Sequence, residues 1–216
     1  MERKYEFTDE TRIILGYTLH RIVAVRDFAD VKAGDKGGWI EKESNLSHEG
    51  NCWVYDDAAI FNNAKVRDKA TARDNVMVYD YAIVFGCAEV YEDAVVCGHA
   101  AVCGHAVVCG HAVVCGMVSG DAVIFGNAII RSIKDYIVFK NWWSSGRYFT
   151  WTRSNNKWKV GCFYGTGDEL VKKAYADNKE SGREYERIVK YVEKILKVKW
   201  QISRYTWREL CRKTII

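Results

Sequence analysis

The sequence contains no proline in its 216 residues, and no run of about 18 apolar residues that a membrane-spanning helix needs. We therefore expect no membrane partner. The first residues, Met1 to Glu6, are mostly charged and do not resemble a signal peptide, so we expect a cytoplasmic protein. Apolar residues make up 49% of the chain and charged residues 28%, which argues against intrinsic disorder.

Eight cysteines are present, but four of them recur at one position of a repeat. These are Cys97, Cys103, Cys109 and Cys115. In a reducing compartment this spacing predicts free thiols rather than a disulfide scaffold.

Charge is distributed unevenly along the chain. Residues 1–52 hold 8 Lys/Arg against 10 Asp/Glu, residues 53–131 hold 5 against 9, and residues 132–216 hold 19 against 9. The basic last segment predicts an acidic partner, whether a nucleotide, a nucleic acid or an acidic protein surface.

The middle of the chain consists of six-residue repeats. Ten hexads follow one another without a gap from Trp53, in the order WVYDDA, AIFNNA, KVRDKA, TARDNV, MVYDYA, IVFGCA, EVYEDA, VVCGHA, AVCGHA, VVCGHA. A shortened unit, VVCG, and the hexads MVSGDA and VIFGNA complete the array. The second position is almost always Val or Ile, the fourth and fifth are mostly turn formers, and the sixth is Ala in nearly every unit. Each hexad therefore predicts a short strand followed by a corner.

This pattern resembles the hexapeptide-repeat proteins, in which three hexads form one triangular coil of a left-handed parallel β-helix. The resemblance implies a mainly β fold in three parts: an N-terminal hairpin and capping coil (1–52), a β-helix of about four coils (53–131) and a basic α+β module (132–216). In that module we expect strands in DYIVFKNWW, RYFTWT and KWKVGCFYG. Two helices should follow, GDELVKKAYADN and SGREYERIVKYVEKILKVKW, the second capped by Ser181. The tail, residues 201–216, is predicted to dock on another subunit.

The flanks carry a second resemblance. The segment RDFADVKAGDKGGWIEKESNLSHEGNCWV, the hexads, KVGCFYGTGDEL and a tyrosine-rich final helix resemble a hexapeptide-repeat family common in bacteriophages and prophages. This resemblance implies a phage-related origin and a bacterial host, but no catalytic residues.

Cysteine and histidine together are zinc ligands, and His99, His105 and His111 recur in the CGHA hexads. In a three-hexad coil they lie at three different corners, so no single metal site is predicted within one chain. Convergence of these histidines between subunits stays open. Residues eighteen apart should stack, and for Cys97 and Cys115 we expect two neighbouring thiols rather than a disulfide.

The strongest binding candidates lie in the basic module, where aromatic side chains alternate with cations. Such residues stack on bases and neutralise phosphate. We consider Arg147, Arg153, Lys157, Lys159, Trp142, Trp143 and Trp151. Most of the aromatic residues equally fit a small hydrophobic core.

We therefore expect a non-enzymatic, oligomeric phage-type binding protein without a cofactor, with a homotrimer as the first expectation. It would act as a counter-defence factor that sequesters a nucleotide signal or blocks a host immune complex associated with nucleic acid. Two alternatives remain: a hexapeptide-repeat acyltransferase, which would use a histidine as general base, and a structural or assembly protein.

Overall fold

The computed structural model of the protein describes the backbone of residues 2–213 and the side chains of residues 2–196. The chain begins with an antiparallel hairpin, β1 (Tyr5–Ile14) and β2 (Tyr17–Ala24), followed by β3 (Lys36–Ile40). The hairpin turn uses Leu15 and Gly16, both at positive φ, which matches the twist of the flanking strands.

A parallel β-solenoid of two-residue strands follows. Its strands are β4 (Trp53–Val54), β5 (Ala59–Ile60), β6 (Lys65–Val66), β7 (Thr71–Ala72), β8 (Met77–Val78), β9 (Ile83–Val84), β10 (Glu89–Val90), β11 (Val95–Val96), β12 (Ala101–Val102), β13 (Val107–Val108), β14 (Val113–Val114), β15 (Met117–Val118), β16 (Val123–Ile124) and β17 (Ile129–Ile130). Every third strand pairs in parallel, giving three faces. Face one contains β5, β8, β11, β14 and β17 and continues through β3 into the hairpin; face two contains β4, β7, β10, β13 and β16; face three contains β6, β9, β12 and β15.

The interior of the solenoid is a column of small and β-branched side chains. The second residue of every hexad and the alanine at the sixth position are buried, for example Val102 and Ala106, both 0% exposed. The β-branched residue fills the pleated interior, and the small residue lets each corner approach its neighbour.

Corners require one residue in the left-handed region of backbone conformation. Asp, Asn, Glu or Gly occupies the fourth position there, as at Asp74 (φ 60°) and Gly110 (φ 73°). The acidic residues also bond to the next coil, because Asp74 Oδ2 accepts from the Glu92 N–H at 2.8 Å, and Glu92 Oε2 accepts from the Gly110 N–H at 2.6 Å. A side-chain acceptor therefore joins successive coils outside the strand ladders.

The shortened unit at residues 113–116 preserves the alternation of inward and outward side chains along the strands. Only Cys115 and Gly116 separate β14 from β15, yet Val118 remains buried and Met117 remains outside with 50% exposure. Above this unit the spacing between stacked residues falls from eighteen to sixteen, as in the pairing of β13 with β16.

The C-terminal module contains an antiparallel sheet and two helices. Its elements are β18 (Tyr136–Lys140), β19 (Tyr148–Thr152), β20 (Lys157–Val160), β21 (Phe163–Gly165), α1 (Gly167–Asp177) and α2 (Lys179–Lys213). The third predicted strand is divided in two by a turn at Gly161, which has φ 54°. The sheet packs its aromatic face against both helices around Phe149, Trp158 and Tyr185.

Both helices differ in detail from the prediction. Thr166 caps α1 and exchanges hydrogen bonds with Glu169. The predicted cap of α2 at Ser181 is wrong, because the helix starts at Lys179 and the Asn178 side chain accepts from the Ser181 N–H at 2.8 Å. The predicted docking of residues 201–216 concerns side chains outside those that the structure describes, although α2 continues to Lys213.

The two ends of the solenoid expose opposite kinds of backbone hydrogen-bonding group. From β4 to β14, the first residue of each strand and the residue after the strand donate their N–H groups to carbonyls of the following coil, so the last coil has free donors of this kind and the first coil has free acceptors. At the C-terminal end, hydroxyl oxygens accept from the Ser119, Val123 and Ile129 N–H groups. They belong to Tyr136, Thr150 and Ser154.

At the N-terminal end the covering side chains are donors. Lys4 Nζ donates to the Cys52 carbonyl, the Tyr5 hydroxyl to the Leu46 carbonyl, and Asn45 Nδ2 to the Ala64 carbonyl. The flanking segments therefore pack on the end coils and also satisfy the hydrogen bonds of their exposed backbone groups.

The predicted mainly β fold is confirmed as a parallel β-solenoid with a small C-terminal module that carries the helices. It has about five turns rather than four, because β3 and the irregular segment before Trp53 form an additional coil. In the part of the chain that the structure describes, no helix is long and apolar enough to cross a membrane.

Candidate functional site

The three repeat histidines lie at three different corners, as the sequence predicted. His99 follows β11 on face one, His105 follows β12 on face three, and His111 follows β13 on face two. All three are exposed. The three hexads share the sequence CGHA, so the histidines differ mainly in their neighbours in adjacent coils.

The residue eighteen positions earlier lies one coil below each histidine. His99 stacks on the Tyr81 ring at 5.0 Å between centroids and 10° between planes, and His105 lies in register with Cys87. His111 lies above Asp93, with Nδ1 3.5 Å from the carboxylate Oδ2. Among the three, His111 is therefore the one placed against a carboxylate.

The carboxylate of Asp93 is itself held in place from below. Asn75 Nδ2 donates to Asp93 Oδ1 at 3.0 Å, and Asn75 lies a further eighteen residues back along the chain. Asn75, Asp93 and His111 thus form a polar column, which we call the His111 corner. The side chains of His111 and Asp93 are 71% and 49% exposed.

This arrangement can orient an imidazole for proton transfer. A carboxylate facing Nδ1 favours the tautomer that carries its proton there, and it leaves Nε2 free to accept a proton. The 3.5 Å separation is longer than a hydrogen bond, a spacing that is common before a substrate is bound. Asp93 was not among the predicted site residues, although it lies eighteen residues, one full coil, before His111 in the sequence.

His48 has a different role in the N-terminal cap. Its Nδ1 accepts from the Lys4 N–H at 3.2 Å, and its ring stacks on Tyr5 at 4.3 Å. Burial lowers the pKa of His48. These contacts hold the cap on the first coil.

The predicted cations of the C-terminal module contact different parts of the protein. Arg147 is exposed beside a cavity of about 250 Å³ that Tyr148 and Cys162 also line. Arg153 Nε donates to the Lys134 carbonyl at 3.1 Å. Lys159 Nζ lies 4.6 Å from the centre of the Phe125 ring, against the last coil of the solenoid.

Lys157 is half-buried on β20. Of the three predicted tryptophans, Trp142 is 72% exposed. Trp143 packs edge-on against Tyr185, and Trp151 is 1% exposed with Nε1 donating to Asn156 Oδ1 at 2.9 Å. The burial of Trp151 leaves no ring face for a ligand, so this residue belongs to the core.

Metal ligands do not cluster among the residues that the structure describes, where no group of three or more His, Cys, Asp or Glu side chains could hold an ion. The separation of the three histidines explains this result for the CGHA hexads. Zinc binding between subunits, the alternative left open by the sequence, is not tested by this result.

Comparison with known proteins gives one informative similarity. No family model matches the chain. A protein of Escherichia coli (strain K12) described as "Uncharacterized acetyltransferase YdcK" is 44% identical to it over 66 residues. The matched segment covers 27% of this chain and 20% of that relative, so the chain spans about a fifth of the relative's length.

This similarity corrects the function expected from the sequence. The expectation of a non-enzymatic phage-type binding protein with a counter-defence role is contradicted, because the relative is described as an acetyltransferase. The similarity favours the acyltransferase alternative and points toward an enzyme. The hexapeptide-repeat interpretation of the solenoid agrees with it, while a phage origin receives no support from it.

Proposed function

We propose that this protein is an acyltransferase of the hexapeptide-repeat type that moves an acetyl group from a thioester, such as acetyl-coenzyme A, to an amine or hydroxyl. The observation that carries this proposal is the 44% identity to a protein described as an acetyltransferase. The His111 corner supports it independently, since it supplies an oriented base on the surface of the solenoid.

In the proposed reaction, His111 Nε2 takes the proton of the acceptor as its nitrogen or oxygen attacks the thioester carbonyl carbon. The new acyl bond forms, the carbon–sulfur bond breaks, and the departing sulfur receives that proton. Acceptor and acetyl thioester are thus converted into acetylated acceptor and free thiol. Asp93 stabilises the imidazolium that exists between the two proton transfers.

A base with 71% of its side chain exposed needs a second wall to exclude water. We propose that a neighbouring subunit supplies this wall in a homotrimer. The flat, regular faces of the solenoid can present the same corner to each neighbour in a closed threefold arrangement. Light scattering on the purified chain tests the trimer, and a monomer at working concentration would contradict it.

The enzymatic proposal is tested by incubating the protein with acetyl-coenzyme A and a panel of amine and hydroxyl acceptors while recording release of free thiol. We expect acceptor-dependent release. His111→Asn should lower the rate about 10²–10⁴-fold, the usual contribution of a general base. Asparagine is a conservative choice, because Asn75 and Asn127 occupy equivalent positions of the same corner.

Matched controls come from the repeat itself. His99→Asn and His105→Asn alter the same hexad position away from Asp93 and should retain activity. Asp93→Asn should lower the rate with little change in fold. If His111→Asn is fully active while the wild-type protein turns over, the assignment of the base is wrong but the activity stands. No thiol release with any acceptor would reject the proposed function itself.

A cytoplasmic location and an origin in a phage or prophage remain proposals. The resemblance of the flanking segments supports the origin. A cytoplasmic location agrees with an acetyl donor made inside the cell. The genes adjacent to this one test the first, and fractionation of cells that express the protein tests the second.

A further inference from the structure

Two thiols face one another across adjacent coils of face one. Cys97 follows β11 and Cys115 follows β14, and their Sγ atoms are 3.1 Å apart. Both side chains are half-buried, so a reagent can reach the pair from solvent. The proposed acyl transfer uses neither thiol.

The backbone holds this pair in a geometry that a disulfide can adopt. β11 and β14 pair in parallel, with Val96 opposite Val114, so the two cysteines follow equivalent residues and project in the same direction. Adjacent strands are about 4.8 Å apart, within the range of Cα separations that disulfides span. Closing the thiol contact to a covalent bond requires the sulfurs to approach by about 1 Å.

No other two cysteines of the sequence are eighteen residues apart. Cys103 occupies the same hexad position on face three, but Phe85 lies one coil below it. Cys109 occupies that position on face two and lies above Tyr91. Cys97, Cys103 and Cys109 thus occupy the same hexad position on three faces, and of these three only Cys97 lies against another cysteine, Cys115.

We propose that Cys97 and Cys115 form a reversible dithiol–disulfide site that fastens the coil of β11 to the coil of β14. The oxidant is a small-molecule disulfide such as glutathione disulfide. One protein thiolate attacks it, forming a mixed disulfide and releasing one glutathione thiolate. The second protein thiolate then attacks the protein sulfur of that mixed disulfide and releases the second glutathione. Two thiol protons and two electrons leave the protein, and one disulfide becomes two thiols.

The local environment of Cys97 sets the pH dependence of the reaction. Burial, and then the neighbouring Cys115 thiol, raise the pKa of Cys97 to about 11. Cys97 is therefore a poor attacking group at neutral pH, and the disulfide should form faster as the pH rises.

The test uses the full-length protein with glutathione disulfide at neutral pH. We expect an intact mass lower by two hydrogens and a linked peptide that contains both cysteines. Trypsin cannot separate them, since the sequence has no Lys or Arg between Arg73 and Arg131, but elastase cleaves at the intervening alanines. Oxidation should raise Tm by roughly 5–10 °C, and a reducing agent should reverse the shift.

Three variants separate the proposal from general thiol reactivity. Cys103→Ser should behave like the wild type. Cys97→Ser and Cys115→Ser should each keep a glutathione adduct on the remaining cysteine of the pair and form no internal disulfide. If the wild type carries separate glutathione adducts or none at this pair, while exposed Cys162 is modified, the proposal is wrong.

A second reagent tests proximity without oxidation. Phenylarsine oxide condenses with two adjacent thiols, forming two arsenic–sulfur bonds and releasing one water. One molecule should bind to the wild type and to Cys103→Ser at this site and protect both cysteines from alkylation. Equal alkylation of Cys97 and Cys115 with and without the arsenical would count against a paired site.

Discussion

Lys4 Nζ donates to the carbonyl oxygen of Cys52 at 2.7 Å, at the end of the solenoid where backbone acceptors have no preceding strand to donate to them. The lysine is 0% exposed, and its ammonium group also lies 3.2 Å from Cys52 Sγ. Burial lowers the pKa of Lys4. The position of this buried cation is explained by the carbonyl group it covers, because a buried acceptor without a donor is costly.

Removing this donor should destabilise the protein. Lys4→Met keeps the length of the side chain and leaves the Cys52 carbonyl unpaired, so we expect a loss of about 1–3 kcal/mol in the free energy of unfolding. Denaturation in urea measures it. Lys65→Met, at the exposed start of β6, is the control and should change stability little. Equal stability of the two variants would show that Lys4 is not needed to cover the end.

At the C-terminal end of the solenoid, stability should depend on the hydroxyl acceptor of Thr150. Thr150 is 0% exposed, and its Oγ1 accepts from the Val123 N–H at 2.9 Å. Thr150→Val has the same shape without the acceptor and should cost about 1–3 kcal/mol. Thr150→Ser restores the hydroxyl and should recover part of this loss. If serine is no better than valine, packing rather than the hydrogen bond dominates at this position.

Glycine at the corners should matter most where coils touch. Gly98 and Gly110 both have positive φ, and an alanine there costs about 1–2 kcal/mol. A Cβ at Gly110 would lie 2.7 Å from the Gly126 nitrogen, whereas a Cβ at Gly98 meets nothing within 4 Å. Gly110→Ala should therefore destabilise the protein more than Gly98→Ala in parallel thermal melts. The reverse order would contradict the close approach of these two corners.

Alkaline pH should weaken the solenoid partly through Cys97. Its pKa is raised to about 11 in the folded state from an ordinary value of 9.0, because burial favours the neutral thiol. Between these values the unfolded chain holds fewer protons at this site, so stability falls as pH rises. The contribution is complete below pH 9 and lost by about pH 11. Cys97→Ser should flatten this part of the stability profile, whereas Cys103→Ser serves as the control. Identical slopes for both variants would refute the assignment.

The solenoid was largely predictable because its information is local. A β-branched residue, a turn former and an alanine in each hexad specify strand, corner and interior without reference to distant residues. The N-terminal hairpin was also predicted, and the structure places its turn at Leu15 and Gly16. The cap of α2 was harder to predict, since both Asn178 and Ser181 are good capping residues. Asn178 is the cap because the helix begins at Lys179.

The candidate site was less predictable, because it depends on which residues meet between coils. Three hexads share the sequence CGHA, yet their histidines face Tyr81, Cys87 and Asp93. The binding residues expected in the basic module were chosen by composition, which does not distinguish the buried Trp151 from the exposed Trp142.

The sequence by itself determined that a column of six-residue units exists, which side chains point inward, and where each corner falls. Only the tertiary structure decided the partners: His111 with Asp93, Cys97 with Cys115, and the end caps with the free donors and acceptors of the outer coils. The physical reason is that the two kinds of information repeat over different lengths of sequence. Side-chain direction repeats within six residues, whereas contact between coils depends on closing a complete turn of eighteen residues, or sixteen at the shortened unit.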